Sequence, residues 1–197
     1  MKYYLDITLL PDAEANLGFL WHKVYQQIHL ALADNKIAEN QSAIAVSFPG
    51  YGEKNFPLGD KARLITETKE QLEQLNINQW LVRLIDYTHV KPIKPVPEAI
   101  NQYACFKRKQ VKSALKKTES LAIHLNKPFE EVLKYRKENN LYRDCNLPFV
   151  HMESQQSIKD GVKHKFRLFI ERSFSESPVQ GRFDCYGLSK TTTVPWF

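Results

Sequence analysis

From Leu17 onward the apolar residues Leu17, Leu20, Trp21, Val24, Ile28 and Ala31 recur at spacings of three and four. That period lines one face of a helix and predicts an amphipathic helix ending near Asp34-Asn35. The turn-like stretch Asp12 to Asn16 ahead of it offers an N-cap. Tyr3 to Leu10, stopped by Pro11, is rich in β-formers and reads as a first strand. Ser42 to Phe48, stopped by Pro49-Gly50, reads as a second strand. After a polar loop, Ala62 to Thr66 makes a short third one. Lys69 to Ile85 returns to helical spacing through Leu72, Leu75, Leu81 and Leu84, with Asn76 and Asn78 as candidate breaks. Tyr87 to Ile93 completes the series as a fourth strand.

The resulting order, β-α-β-β-α-β, is the ferredoxin-like arrangement that RNA-recognition modules share. Lys91 to Pro97 then carries Pro92, Pro95 and Pro97. Proline lacks the donor that a central strand needs, so this segment is the expected boundary. The fold class expected is therefore α+β, with a ferredoxin-like domain over 1–96 and a smaller α+β domain over 97–197. The second half opens extended at Tyr103 to Phe106. A basic helix follows from about Val111 to His124, and another after Pro128 to about Lys137. Pro148 to Met152, Lys165 to Ile170 and Arg182 to Leu188 read as strands. The closing Val194-Pro195-Trp196-Phe197 is unusual, because termini are ordinarily frayed and polar. Two large aromatics left in water would forfeit roughly 1.5–3 kcal/mol each, so this end is expected to be docked, with Tyr186 held beside it.

Charge sharpens the picture once it is located. The 197 residues carry a net +6. Gln102 to Lys137 holds ten basic residues against three acidic ones, net +7, which leaves −1 for all the rest. A concentrated basic element is the footprint of a polyanion site, most often nucleic acid, although a solvated helix face also fits. No stretch approaches the roughly 18 apolar residues of a membrane span. The N-terminus lacks the layout of a signal peptide, which points to the cytoplasm and to no membrane partner. Cys105, Cys145 and Cys185 form no Cys-x-x-Cys pair, so neither a disulfide framework nor a zinc site is indicated. There is no glycine-rich phosphate loop, and the six histidines form no His-x-x-x-His pair. Carboxylates are not clustered as two-metal nucleases require. Cutting of nucleic acid by this chain is thus expected to need no metal and no cofactor, which selects RNA. RNA brings its own nucleophile, the 2′-hydroxyl, and needs a base to remove its proton. Histidine suits that task. His29, one residue past Ile28, lies about 100° around the helix, at the edge of the apolar stripe. Helix geometry leaves open whether it is a base or a bystander, since His22 and His124 also sit on helices.

Several runs resemble one family. Cys185-Tyr186-Gly187-Leu188-Ser189 and the close Val194-Pro195-Trp196-Phe197 are similar to the C-terminus of the CRISPR-associated endoribonuclease of type I-F systems, which cuts precursor CRISPR RNA within each repeat. His29-Leu30-Ala31-Leu32 resembles the stretch around its catalytic histidine, which implies that His29 is the base. Leu147-Pro148-Phe149-Val150 resembles a family block that precedes a catalytic serine, and the matching residue is Ser154. The chain reads Ser154-Gln155-Gln156-Ser157 where the family has Ser-Gln-Ser, so Ser157 is an alternative. Lys165-Phe166-Arg167-Leu168-Phe169-Ile170 implies that Phe166 stacks on a base of the RNA stem; its alternation equally fits a packed strand. The spacing of Arg108 and Gln110 resembles the family's purine-reading pair, a role arginine and glutamine suit chemically. An intact A-form major groove is too narrow for such reading, which implies a short hairpin substrate. Lys112, Lys116 and Lys117 stand on the basic helix as phosphate contacts, where the family's helix is dense in arginine. Tyr186 matches a tyrosine that supports the catalytic histidine, while a core tyrosine remains the alternative.

The resemblance further implies a 5′-hydroxyl and a 2′,3′-cyclic phosphate as products. It implies retention of the mature crRNA, and the other subunits of the type I-F CRISPR interference complex as partners. Two rivals stand beside it. One is an inactive subunit that only binds the RNA hairpin. The other is a DNA-binding regulator using residues 111–138 as a helix-turn-helix, although Leu125-Asn126-Lys127-Pro128 lacks the usual glycine turn.

Overall fold

The structure is a computed structural model that describes residues 1–159 and 162–197, and the side chains of these outside 155–163. The first half consists of β1 (Tyr3–Leu9), α1 (Leu17–Asp34), β2 (Ala45–Ser47), β3 (Lys61–Thr66), α2 (Lys69–Leu75), α3 (Ile77–Trp80), a 3₁₀ turn over Val82–Tyr87, β4 (Thr88–Val90) and β5 (Lys94–Pro95). The strands form one sheet in the order β2-β3-β1-β4, each neighbouring pair antiparallel, with β5 also pairing on β1. This is the ferredoxin-like order that the sequence pattern predicts.

Register explains the core. Leu5 faces Leu64 and Ile7 faces Ala62 across β1 and β3, and all four are buried. Helix α1 closes the layer with Leu20, Trp21, Val24, Ile28 and Ala31, its predicted stripe apart from Leu17, which is half-buried. Its first turn is capped by Asn16, whose side-chain oxygen accepts from the Phe19 N–H at 3.0 Å. The expected break in the second helical region falls at Asn76, which takes the left-handed conformation with φ 43° and ends α2. Asn78 lies inside α3.

The second half adds β6 (Tyr103–Lys109), α4 (Ala114–Leu125), α5 (Phe129–Glu138), β7 (Phe149–Lys159), β8 (Val162–Ser175) and β9 (Val194–Pro195). Strands β7-β8-β6-β9 make a second sheet. By packing, the chain divides into two units, residues 1–108 with 148–197, and residues 109–147. In the first unit the rings of Trp21, Tyr25, Phe48 and Phe106 form one aromatic seam, with Phe48 5.5 Å from Trp21 and 5.2 Å from Phe106. In the second, α4 and α5 bury Ala114, Thr118, Ala122 and Val132. Ser113 caps α4 by accepting from the Lys116 N–H at 3.2 Å.

The terminal aromatics are docked as expected. Trp196 donates its backbone N–H to Gln102 O at 3.0 Å, and the Arg172 guanidinium lies 5.0 Å from its ring. Phe197 meets Tyr4 edge-on at 5.0 Å, while Arg63, paired with Asp6, lies 4.0 Å over its ring. One strand expectation fails. Arg182 to Leu188 is not a strand but a single bridge, Ser42 to Phe183, followed by a turn over 184–188. The Asp184 carboxylate captures two amides of that turn, which takes them away from any ladder.

Candidate active site

Helix α1 carries a second stripe beside its apolar one. His22, Gln26 and His29 follow each other at four and three residues, so they share a face. Each reaches a backbone group far away in sequence. His22 Nδ1 lies 2.7 Å from His151 O, Gln26 Oε1 accepts from Glu153 N–H at 3.0 Å, and His29 Nδ1 lies 2.8 Å from Cys185 O. Among the described residues strand β7 is the edge of its sheet, and its outward backbone groups have no ladder partner there. His22 and Gln26 supply partners for two of them, and buried backbone polar groups left unpaired would be costly.

A carbonyl oxygen can only accept, so Nδ1 of His29 carries the hydrogen in that contact. The neutral ring then presents Nε2 as a free lone pair. The Tyr186 ring lies parallel to the imidazole, 4.1 Å away at an interplanar angle of 6°. Burial pushes the His29 pKa below its ordinary value; the Cys185 carbonyl and Asp184 oppose this, and Arg108 adds to it. Burial likewise raises the Tyr186 phenol, with Arg108 opposing. The Arg108 guanidinium stands 5.2 Å from the Tyr186 ring and 5.6 Å from the Phe166 ring.

His29, Arg108, Ser154, Phe166, Asp184 and Tyr186 line one cleft of about 600 Å³. Two other hollows of similar volume, one beside Val96 to Ile100 and one beside Gln74 to Leu84, carry none of these six. Ser154, two residues past the expected strand Pro148 to Met152, lies on β7, at the end of the regular pairing that stops at Glu153 opposite Lys165. Such register shifts are common beside functional sites. The alternative Ser157 lies outside the residues whose side chains are described. Gln110, Lys112 and Lys116 are exposed on the 109–147 unit and Lys117 is half-buried there. Among the described residues no His, Cys, Asp and Glu side chains converge as a metal set. Also among them, no helix is long and apolar enough to cross a membrane.

Three contributors escape a reading of the sequence: Gln26, Asp184 and the Cys185 carbonyl. The spacing of Gln26 between His22 and His29 is the signal that points to the first. Asp184 three residues before Gly187 is the signal for a turn.

Residues 4–197 match the family described as CRISPR-associated protein (Cas_Csy4). The chain is 33% identical over 198 residues to the CRISPR-associated endonuclease Cas6/Csy4 of Escherichia coli (strain UTI89 / UPEC), covering 100% of both chains. It is 32% identical over 198 residues to the CRISPR-associated endonuclease Cas6/Csy4 of Pseudomonas aeruginosa (strain UCBPP-PA14), again over 100% of both. A ferredoxin-like α+β protein with this cleft is thus one of the CRISPR-associated endonucleases. The chain belongs to the Cas6/Csy4 family.

Proposed function

We propose that this protein is a metal-independent, hairpin-specific endoribonuclease that processes precursor CRISPR RNA within the repeat, in the cytoplasm. The observation that carries this reading is the His29 ring, which is held by Cys185 O and stacked on Tyr186 in a cleft shared with Ser154. His29 Nε2 takes the proton from the 2′-hydroxyl beside the scissile phosphate. The freed oxygen attacks phosphorus, the bond to the 5′ oxygen breaks, and that oxygen takes up a proton. The products are a 2′,3′-cyclic phosphate and a 5′-hydroxyl. Ser154 holds the attacking ribose in its reactive pucker, and Tyr186 orients the imidazole or supports the phosphate. Phe166 stacks on a base of the stem, Arg108 and Gln110 read purines, and Lys112, Lys116 and Lys117 contact phosphates. The mature crRNA stays bound, alongside the other subunits of the type I-F interference complex.

A repeat hairpin with hydrogen in place of the one 2′-hydroxyl at the cut should bind unchanged and remain whole. The unmodified hairpin should give one discrete fragment in EDTA. Cutting of the deoxy substrate would refute 2′-hydroxyl attack. Tight binding of the natural hairpin without any fragment would leave only a binding subunit.

A further inference from the structure

Asp184 lines the same cleft, and the proposed cleavage steps do not use it. Its Oδ1 accepts from the backbone N–H of Tyr186 at 2.9 Å and of Leu188 at 3.0 Å. The backbone adds two bonds, Asp184 N–H to Leu188 O and Gly187 N–H to Asp184 O, both at 2.8 Å. Gly187 completes the turn at φ +72°, where a Cβ would lie 2.4 Å from Val46 Cγ2. This turn carries both groups that meet the His29 ring, the Cys185 carbonyl and the Tyr186 ring. Tyr25 anchors it from α1 by donating its hydroxyl to Tyr186 O at 2.8 Å.

A turn of this kind needs an acceptor, not a charge; asparagine, serine or threonine serve as well. Burial raises the Asp184 pKa, so an anion here is disfavoured by its surroundings, while the Leu188 and Tyr186 amides, Arg108 and His29 favour it. The relation is mutual, because Asp184 favours the protonated imidazole. Among the described residues, the other ionisable groups that line the cleft beside His29 are Cys185 and Tyr186 on the turn and Arg108 on β6. Along the cleft stand Glu153 on β7 and Lys36 and Glu39 beyond α1. Asp184 is the carboxylate among them that is bonded to the turn holding the ring.

We propose that Asp184 is a positioning residue with two separable effects. Its hydrogen bonds fold the turn that fixes the His29 ring, and its negative charge stabilises the imidazolium formed when His29 accepts the 2′-hydroxyl proton. The second effect rests on the reading of His29 as the base.

Asp184→Asn keeps a carbonyl acceptor for both amides and removes only the charge. Asp184→Ala removes both. Nitrogen NMR of the His29 ring in RNA-free protein reads tautomer and protonation without reference to cleavage. In Asp184→Asn the Nδ1–H tautomer should persist, and the midpoint of protonation should fall by about 0.5–1 pH unit. Single-turnover cleavage should show its acidic limb displaced downward to match, with the plateau reduced about 3–10-fold. Asp184→Ala should lose the single tautomer and more of the rate; should it fail to fold, the asparagine variant decides alone. An unchanged His29 midpoint in Asp184→Asn, or an upward one, overturns the proposal. His29→Ala separates the two readings: if that variant still cuts, the base assignment fails, while the NMR titration still judges the coupling.

Discussion

At the scale of single residues, the fixed tautomer of His29 is the feature with the most chemical consequence. The ring is anchored through Nδ1, so the proposed proton transfer rests on the other nitrogen, Nε2. His29→Ala should lower cleavage by about 10²–10⁴-fold, the range for removal of a proton-transfer group, with hairpin affinity little altered. Tyr186→Phe keeps the parallel ring and loses the hydroxyl; a loss of about tenfold or less fits orientation rather than proton transfer. Because burial lowers the His29 pKa, the rate should rise with pH through a midpoint below about 6.5 and then level off. A midpoint at or above that value in kcat/KM, which reports the free enzyme, contradicts the burial argument. The same shift enters stability with a definite sign. With the folded pKa below the unfolded one, the unfolded chain binds more protons in acid. The contribution of His29 is therefore present above the unfolded pKa and is lost as pH falls through the folded pKa. His29→Asn should show a shallower fall of Tm on acidification, measured by thermal scans from neutral to mildly acid pH.

At the scale of elements, α1 joins two tasks on adjacent stripes. Its apolar stripe closes the first sheet, and its polar stripe holds the edge of β7 and the 184–188 turn. Gln26 is the telling case. Its Oε1 accepts from Glu153 N–H, next to Ser154, yet its buried Nε2 has no partner among the described residues. An unpartnered buried donor costs about 1–3 kcal/mol. Gln26→Leu removes that cost but leaves the Glu153 N–H without its acceptor, so the two changes offset and Tm should move little while cleavage falls. Equal losses in both would mean that Gln26 serves packing alone. These two stripes also show what a sequence can disclose. The apolar stripe is legible because it repeats with the helix, as are the alternating strands and the order they impose. The turn at 184–188 resembles a strand in sequence because Phe183, Cys185 and Tyr186 suit one, and only a side-chain oxygen taking two amides decides otherwise. The expected strand stops at Met152, short of Ser154, because the polar residues that follow hide the rest of β7. His29 can be named as a candidate from its place on the helix. What it touches cannot, since a bond to Cys185 O spans the chain and follows no period.

At the scale of the whole molecule, charge is divided by segment rather than spread. Gln102 to Lys137 holds the entire positive excess, and most of those residues lie in the 109–147 unit. Arg136 is turned inward, where its Nη2 donates to Leu141 O at 2.7 Å, so it serves the fold of that unit. Gln110, Lys112 and Lys116 remain at the surface, with Lys112 donating to Ser120 Oγ at 3.2 Å across the face of α4. Lysine is a point charge and cannot make the two-pronged contact of arginine. Lysine–phosphate pairing acts by releasing counterions, so affinity for the repeat hairpin should fall steeply with salt. Replacing Lys112, Lys116 and Lys117 together with glutamine should weaken binding across hairpin sequences alike. It should also reduce the slope of log affinity against log salt by about 0.7–0.9 for each phosphate that is no longer neutralised. Filter binding between about 50 and 200 mM salt measures both. An unchanged slope in the triple variant would take these lysines off the RNA. A weakening confined to one hairpin sequence would mean that they read bases, a task that a flexible point charge performs poorly.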